Sequence, residues 1–136
     1  MNLKKITMSE DTAKLILRLT IGILVLLHGI FKIKHPEAVG FVGGLFANFG
    51  LPAFFAYAVY IGEVIAPIML IVGYKTKIAS ALIAFTLFVA IILAHMGQIF
   101  TLSQSGGWAI ELQALYLFGA LALFGLGAGK YSLDKE

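Results

Sequence analysis

The chain has 136 residues, of which 60% are hydrophobic and 12% are charged, and its formal net charge is +3. Ordinary soluble domains are about 45–50% apolar and about 25% charged, so this composition excludes an ordinary soluble domain and predicts one polytopic membrane domain over residues 1–136. The sequence contains no cysteine, which excludes thiol–disulfide exchange, thiolate zinc sites and iron–sulfur clusters.

The first predicted membrane span covers about residues 13–33, an apolar run long enough to cross a bilayer as a helix. It has no small-residue cleavage site after it, so it is interpreted as a retained span and not as a signal peptide. The residues that share one face of this helix are Arg18, Gly22, Gly29 and Lys32. Because small residues let membrane helices approach closely, this face is predicted to contact protein, with His28 at its edge.

The connector over residues 35–52 is apolar but interrupted by glycines, and its phenylalanines have roughly helical spacing. It predicts a short interfacial or re-entrant helix that ends at Gly50 and Pro52; an apolar loop lying on the headgroups is the alternative. The later apolar runs predict spans at about residues 52–72, 78–97 and 108–126. The predicted fold is therefore all-α, a four-transmembrane-helix bundle with up-down topology and a short interfacial helix between spans one and two.

Lysine and arginine are distributed unevenly between the two sides of this predicted bundle. The side with both termini and the turn between spans two and three carries Lys4, Lys5, Lys14, Arg18, Lys75, Lys77, Lys130 and Lys135. The opposite side carries only Lys32 and Lys34. The positive-inside rule therefore predicts a multi-pass protein of the cell (inner) membrane with both termini in the cytoplasm. Because the basic residues flank apolar runs, no nucleic-acid partner is predicted.

The ionisable residues inside the spans form two predicted layers. At about 1.5 Å per residue, Arg18 lies roughly 8 Å inside the cytoplasmic edge and Glu63 lies about 14 Å above that edge. A carboxylate near mid-membrane is either paired with a cation or protonated, so the similar depth predicts a structural ion pair between Arg18 and Glu63. The outer layer is a predicted polar cluster of His28, Lys32, His95 and Glu111.

Each of these residues also has a purely structural interpretation. Arg18 could extend to the inner headgroups without a protein partner, the histidines could be neutral packing residues, and Glu111 could be favoured by the helix dipole alone. A bis-histidine haem is disfavoured because a four-span bundle of this size has little room for one. No metal site is predicted, because no two of His28, His95 and Glu111 lie one helical turn apart.

Taken together and in order, these motifs resemble the DoxX family of small four-helix membrane proteins. The matching residues are Arg18-Leu with Gly22, His28-Gly29-x-x-Lys32, Gly50-Leu-Pro52, Gly62-Glu63 with Gly73, His95, Gly106-Gly107 with Glu111, and the terminal Gly127-Ala-Gly-Lys-Tyr-Ser-Leu-Asp134. The resemblance covers almost the whole chain. It implies the fold strongly and a reaction only weakly, because one fold hosts many functions.

The family is named for a subunit of a quinone-linked, thiosulfate-oxidising complex, and other members are described as oxidoreductases or redox-stress proteins. The resemblance thus implies a bilayer-embedded component of a quinone-linked redox or redox-stress system. In that interpretation the outer cluster of His28, Lys32, His95 and Glu111 binds a quinone or relays protons. The two histidines hydrogen-bond the quinone carbonyls or relay protons, and Glu111 accepts the proton. The sequence has no nucleotide-binding fingerprint, so a separate redox partner protein is expected, and at most the chain is the membrane subunit of an oxidoreductase.

Two other functions remain open at this stage. One is a non-enzymatic assembly or stress-protective factor whose polar residues only specify helix packing. The other is a small transporter, although the sequence shows no inverted repeat and few polar residues that could line a pore. The sequence also leaves open the substrate, the electron donor and the formation of a homo-oligomer.

Overall fold

A computed structural model describes residues 8–134, and within that range the predicted all-α fold is confirmed. The α-helices are α1 (Glu10–Lys34), α2 (Pro36–Asn48), α3 (Ala66–Val72), α4 (Thr76–Ala94) and α5 (Glu111–Leu126). Extended pairing among the described residues is limited to one isolated bridge between Leu102 and Trp108. Of the basic residues in the predicted charge asymmetry, Lys4, Lys5 and Lys135 lie outside the described residues.

The second apolar segment is helical throughout most of its length but is not a regular α-helix. It begins as a 3-10 helix at Ala53–Ala58, widens into a π-helical turn at Ile61–Ile65 and continues as α3. Pro67 in the first turn of α3 has no N–H, and its ring disfavours an α-helical carbonyl four residues earlier, at Glu63. The backbone responds with a wider turn, in which the N–H of Ala66 donates to the carbonyl of Ile61.

Within residues 8–134, three helical segments are long and apolar enough to cross a membrane: α1, Ala53–Val72 and α4. The apolar helix α5 is shorter, at 16 residues. It lies antiparallel to α4, since the start of α5 meets the end of α4. The buried core joins these helices through Ile21, Val25, Leu70, Ile83, Ala120 and Leu123.

Glycines set the separation of the helices, as predicted for the glycine face of α1. A Cβ added at Gly22 would lie 2.7 Å from a side-chain atom of α3, and one at Gly29 would lie 2.7 Å from the carbonyl carbon of Glu63. On the other side of the same segment, a Cβ at Gly62 would lie 2.6 Å from the Cβ of Thr86 in α4. The π-helical turn is therefore held between α1 and α4 at distances that only glycine allows.

The segment after α5 folds back across the turn that joins α3 to α4. The N–H groups of Leu133 and Asp134 donate to the carbonyl oxygens of Val72 (3.1 Å) and Gly73 (2.8 Å). Gly73 has a positive φ of 73°, and a side chain there would overlap Ser132. A glycine is thus required here both by the backbone angle and by the close approach of the tail.

The carboxylate of Asp134 caps the first turn of α4. Its two oxygens accept hydrogen bonds from the N–H groups of Lys75 (2.7 Å) and Thr76 (2.9 Å). Burial alone would raise the pKa of Asp134, but these hydrogen bonds and the positive charge of Arg18 outweigh it, so the pKa lies below its ordinary value. A residue from the far end of the sequence thus satisfies helix-terminal N–H groups that would otherwise lack partners.

The same terminal segment also contacts the start of α1. The N–H of Lys130 donates to the carboxylate of Asp11 at 3.0 Å, and the guanidinium of Arg18 donates to the carbonyl of Tyr131. The start of α1, the α3–α4 turn and the terminal segment therefore lie at one end of the molecule. The opposite end holds α2 and the loop between α4 and α5.

Candidate functional site

Arg18 is fully buried, and its partners are carbonyl oxygens. One guanidinium nitrogen donates to the carbonyls of Leu70 (3.1 Å) and Ile71 (3.3 Å), and the other donates to the carbonyl of Tyr131. The predicted ion pair between Arg18 and Glu63 is therefore wrong. Arginine instead joins the end of α3 to the terminal segment, and its five N–H donors suit such a cluster of carbonyls.

Glu63 pairs with Lys32 and not with Arg18. The distance from Nζ of Lys32 to Oε1 of Glu63 is 2.8 Å, and the two side chains are 19% and 14% exposed. Side chains on an α-helix slant towards its N-terminus, so Lys32 extends inwards along α1 to the level of Glu63. The hydroxyl of Tyr60 donates to the backbone carbonyl of Lys32 at 3.2 Å and strengthens the same contact.

The Lys32–Glu63 pair lies at the π-helical turn, where Gly29 of α1 contacts the backbone of Glu63. Single π-turns are common at functional positions because they rotate side chains relative to a regular helix. Here the turn presents Glu63 to Lys32. The pair is partly accessible, so it differs from a fully buried structural bridge.

His95 ends α4 within a small polar cluster. Its Nδ1 lies 2.7 Å from Oε1 of Gln98, and its Nε2 lies 3.4 Å from Nε2 of Gln113. An amide oxygen can only accept, so Nδ1 carries the proton in this arrangement and Nε2 presents a lone pair to the amide of Gln113. The contact between His95 and Gln113 is long for a hydrogen bond, so it is weak and a ligand atom that binds either group more closely can replace it.

His28 and His95 contact the same helix, α5, one turn apart. The ring of His28 lies edge-on to Tyr116, with ring centroids 5.9 Å apart. Tyr116 follows Gln113 by three residues and so lies on the same side of α5. His28 is exposed and His95 is half-buried.

Glu111 begins α5 and is exposed. Its Oε2 would lie 2.5 Å from a Cβ at Gly107, so the carboxylate rests over the glycine backbone of the preceding loop. Within residues 8–134, no three histidine, aspartate or glutamate side chains are grouped so that they could hold a metal ion. The quinone or proton-relay assignment of His28, Lys32, His95 and Glu111 stays a prediction.

Two residues of the His95 cluster were missed in the sequence. From the sequence alone, neither Gln98 nor Gln113 was assigned a role. Gln98 lies three positions after His95, and Gln113 lies two positions after Glu111. An amide inside an otherwise apolar helix start is the signal that could have identified Gln113. The loop beside this cluster is ordered by a hydrogen bond from Nε1 of Trp108 to the carbonyl of Ile99 at 2.6 Å.

The sequence model of the DoxX family matches residues 13–96. The chain is similar to "Putative oxidoreductase CatD" of Bacillus subtilis, with 30% identity over 110 residues that cover 80% of this chain and 79% of that protein. It is also similar to "Uncharacterized membrane protein Rv3486" of Mycobacterium tuberculosis, with 28% identity over 129 residues that cover 88% of this chain and 78% of that protein. No solved structure matches the chain.

Proposed function

The chain belongs to the DoxX family of membrane proteins, and from this premise we propose that it is the membrane-embedded component of a quinone-linked redox system. A separate redox partner protein would supply the electrons, because the 136 residues contain no nucleotide-binding fingerprint. The name of the Bacillus subtilis relative supports oxidoreductase chemistry. Neither relative's name mentions a quinone, so the quinone is proposed from the family resemblance together with the side chains of this chain.

The proposed topology is four spans in an up-down arrangement, with both termini in the cytoplasm of a bacterial inner membrane and α2 at the outer interface. The 16 residues of α5 extend roughly 24 Å, which a modest local thinning of the bilayer accommodates. The end with the start of α1, the α3–α4 turn and the terminal segment carries Lys14, Lys75, Lys77 and Lys130. That concentration of lysines supports its assignment to the cytoplasmic side.

The observation that carries the quinone proposal is the cluster of His95, Gln98 and Gln113. A quinone carbonyl needs hydrogen-bond donors, and the amide of Gln113 has an N–H for it. The lone pair on Nε2 of His95, set by the hydrogen bond from Nδ1 to Gln98, can accept a proton from a hydroxyl group. The donor set therefore fits a ligand that alternates between carbonyl and hydroxyl forms, and a bound quinone would supply a couple of two electrons and two protons.

Glu111 and His28 would serve proton exchange around this cluster. Glu111 is exposed at the start of α5, two residues before Gln113, and so provides a carboxylate between the cluster and the outer surface. His28 contacts Tyr116 on the next turn of α5. Imidazole and carboxylate groups are the usual carriers of protons inside membrane proteins.

The test is the quinone content of protein purified in mild detergent, measured by solvent extraction and mass spectrometry. We expect quinone near stoichiometric amounts in the wild type and a marked loss in Gln113→Leu and His95→Leu. Gln104→Leu, in the exposed loop outside the cluster, is the matched control and should retain it. Equal quinone content in all four proteins, or none in the wild type, would reject the proposal.

A second function, an assembly factor without redox chemistry, is favoured by one specific observation. Arg18, Glu63 and Asp134 all have partners within the chain, as expected if polar groups only specify helix packing. Under that function Gln113→Leu would leave partner binding unchanged. A pull-down in mild detergent followed by mass spectrometry of proteins and lipids separates the two functions, since only the redox function requires co-purified quinone.

A further inference from the structure

An apolar groove of about 360 Å³ lies between α4 and α5 on the outer surface of the bundle. The α4 side is lined by Ala81, Ala84, Phe85 and Phe88. The α5 side is lined by Leu117, Leu121 and Phe124. Ala84 is buried, whereas Phe85, Phe88 and Phe124 are exposed.

The two walls of the groove continue to the polar cluster. His95 follows Phe88 by seven residues, two helical turns, and therefore lies on the same stripe of α4. Gln113 precedes Leu117 by four residues on α5 and continues the stripe of the opposite wall. The groove thus leads along the helix pair towards the gap where His95 and Gln113 approach to 3.4 Å.

The length and the apolar lining of the groove suit a hydrocarbon chain. Seven residues separate Ala81 from Phe88, so the apolar part is roughly 10 Å long, and roughly 21 Å separate the levels of Ala81 and His95. The lining offers no polar side chain, so the matching occupant is a narrow hydrocarbon chain whose polar end lies at His95 and Gln113.

We propose that the α4–α5 groove holds the isoprenoid tail of a quinone whose headgroup lies beside His95 and Gln113. This inference rests on the proposed function, because it extends the headgroup site described there. Bilayer lipid is as apolar as the tail, so the groove contributes packing and alignment and little hydrophobic driving force. Its effect is to hold the headgroup in one orientation against His95.

The test uses purified protein in phosphatidylcholine nanodiscs and a quinone analogue that carries a photoactivatable diazirine on its isoprenoid tail. After irradiation, peptide mass spectrometry locates the labelled residues. We expect labels within residues 81–88 and 117–124, and we expect an excess of unlabelled long-tailed quinone to displace them. Labels spread over lipid-facing residues of α1 and α3, or labels that unlabelled quinone does not displace, would overturn the inference, since a phospholipid acyl chain would then occupy the groove.

Groove-filling variants provide the second arm. Ala81 is exposed and lines the groove, so Ala81→Phe should reduce labelling of the groove about fivefold, the effect of losing about 1 kcal/mol of packing. Ala122 is also exposed, on α5, but does not line the groove. Ala122→Phe is therefore the matched control and should label as the wild type does. Equal labelling of both variants would contradict the inference.

Headgroup binding is measured separately, which keeps the two proposals distinguishable. Trp108 is the single tryptophan of the chain and belongs to the loop beside His95, so a short-tailed quinone at the headgroup site should quench its fluorescence. Quenching that Gln113→Leu abolishes and Ala81→Phe preserves is the expected result. If such quenching occurs without groove labelling, the tail inference fails alone; if Trp108 is not quenched at all, the proposed function fails and the inference with it.

Discussion

Replacing Gly29 by alanine tests whether the close packing of α1 against the π-helical turn requires a glycine. A Cβ at Gly29 would overlap the carbonyl oxygen of Glu63 and lie 2.7 Å from its carbonyl carbon, with Cγ2 of Val64 at 2.8 Å. Carbon atoms in contact are normally about 3.5–4.0 Å apart, so α1 must retreat by roughly 1 Å. The atoms that block the Cβ belong largely to the backbone, so they cannot move away by a change of rotamer. Overpacking of this kind typically lowers the free energy of unfolding by ~1–3 kcal/mol.

The same retreat weakens the neighbouring ion pair. Nζ of Lys32 and Oε1 of Glu63 are 2.8 Å apart, and a shift of roughly 1 Å moves them beyond ordinary hydrogen-bond distance. A partly accessible pair contributes up to about 1 kcal/mol. We therefore expect Gly29→Ala to lower the free energy of unfolding by about 1–4 kcal/mol in total.

Thermal unfolding in mild detergent, followed by circular dichroism, measures this effect. Gly40→Ala in α2 is the matched control, because nothing lies within 4 Å of a Cβ at that position. Alanine there should be neutral or stabilising, by up to about 1 kcal/mol, since glycine is the weaker helix former. Equal melting temperatures for Gly29→Ala and the wild type would refute the packing argument.

Three further predictions concern the ion pair, the terminal segment and the topology. Glu63→Gln and Lys32→Met should each lower the melting temperature, because each removes the partner of a partly buried charge. The double variant should lose less stability than the sum of the two single variants, and strictly additive losses would show that the two side chains are not coupled. Because the pKa of Asp134 lies below its ordinary value, its contribution to stability is present above about pH 4 and is lost as the pH falls through the folded-state pKa. Asp134→Asn should therefore be less stable than the wild type at pH 7, by a difference that narrows below about pH 4; a difference independent of pH would count against the capping role. A periplasm-active reporter should be active when fused at Ser103 and silent when fused after the last residue, and the reverse pattern would invert the proposed topology.

The helices and the glycine contacts could be predicted because their signals are local in the sequence. Hydrophobic runs and helical periodicity depend only on neighbouring residues. The bounds of α1, of the helical segment Ala53–Val72, of α4 and of α5 all lie within three residues of the apolar runs seen in the sequence. Gly22 and Gly29 share a helical face whatever their partner is. The irregular geometry of the second segment was not predicted, although Pro67 marks the place where a regular helix is interrupted.

The partner of Glu63 was predicted wrongly because depth was counted from backbone positions in a regular helix. Lys32 and Arg18 lie 14 residues apart on α1, roughly 21 Å, and both side chains slant towards the helix N-terminus. That slant brings Lys32 inwards to Glu63 and takes Arg18 further away, to the carbonyls at the end of α3. The π-helical turn then sets the direction in which Glu63 points.

By itself the sequence determined three features: an all-α membrane protein, the close contact of its glycine face with a neighbouring helix, and the residue types available for a polar site. Each of these depends on composition and short-range periodicity. Only the tertiary structure decided which polar groups meet. Gln113 reaches His95 and Asp134 caps α4 across long stretches of sequence, and such pairings depend on helix rotation, side-chain direction and chain reversal, which local patterns do not encode.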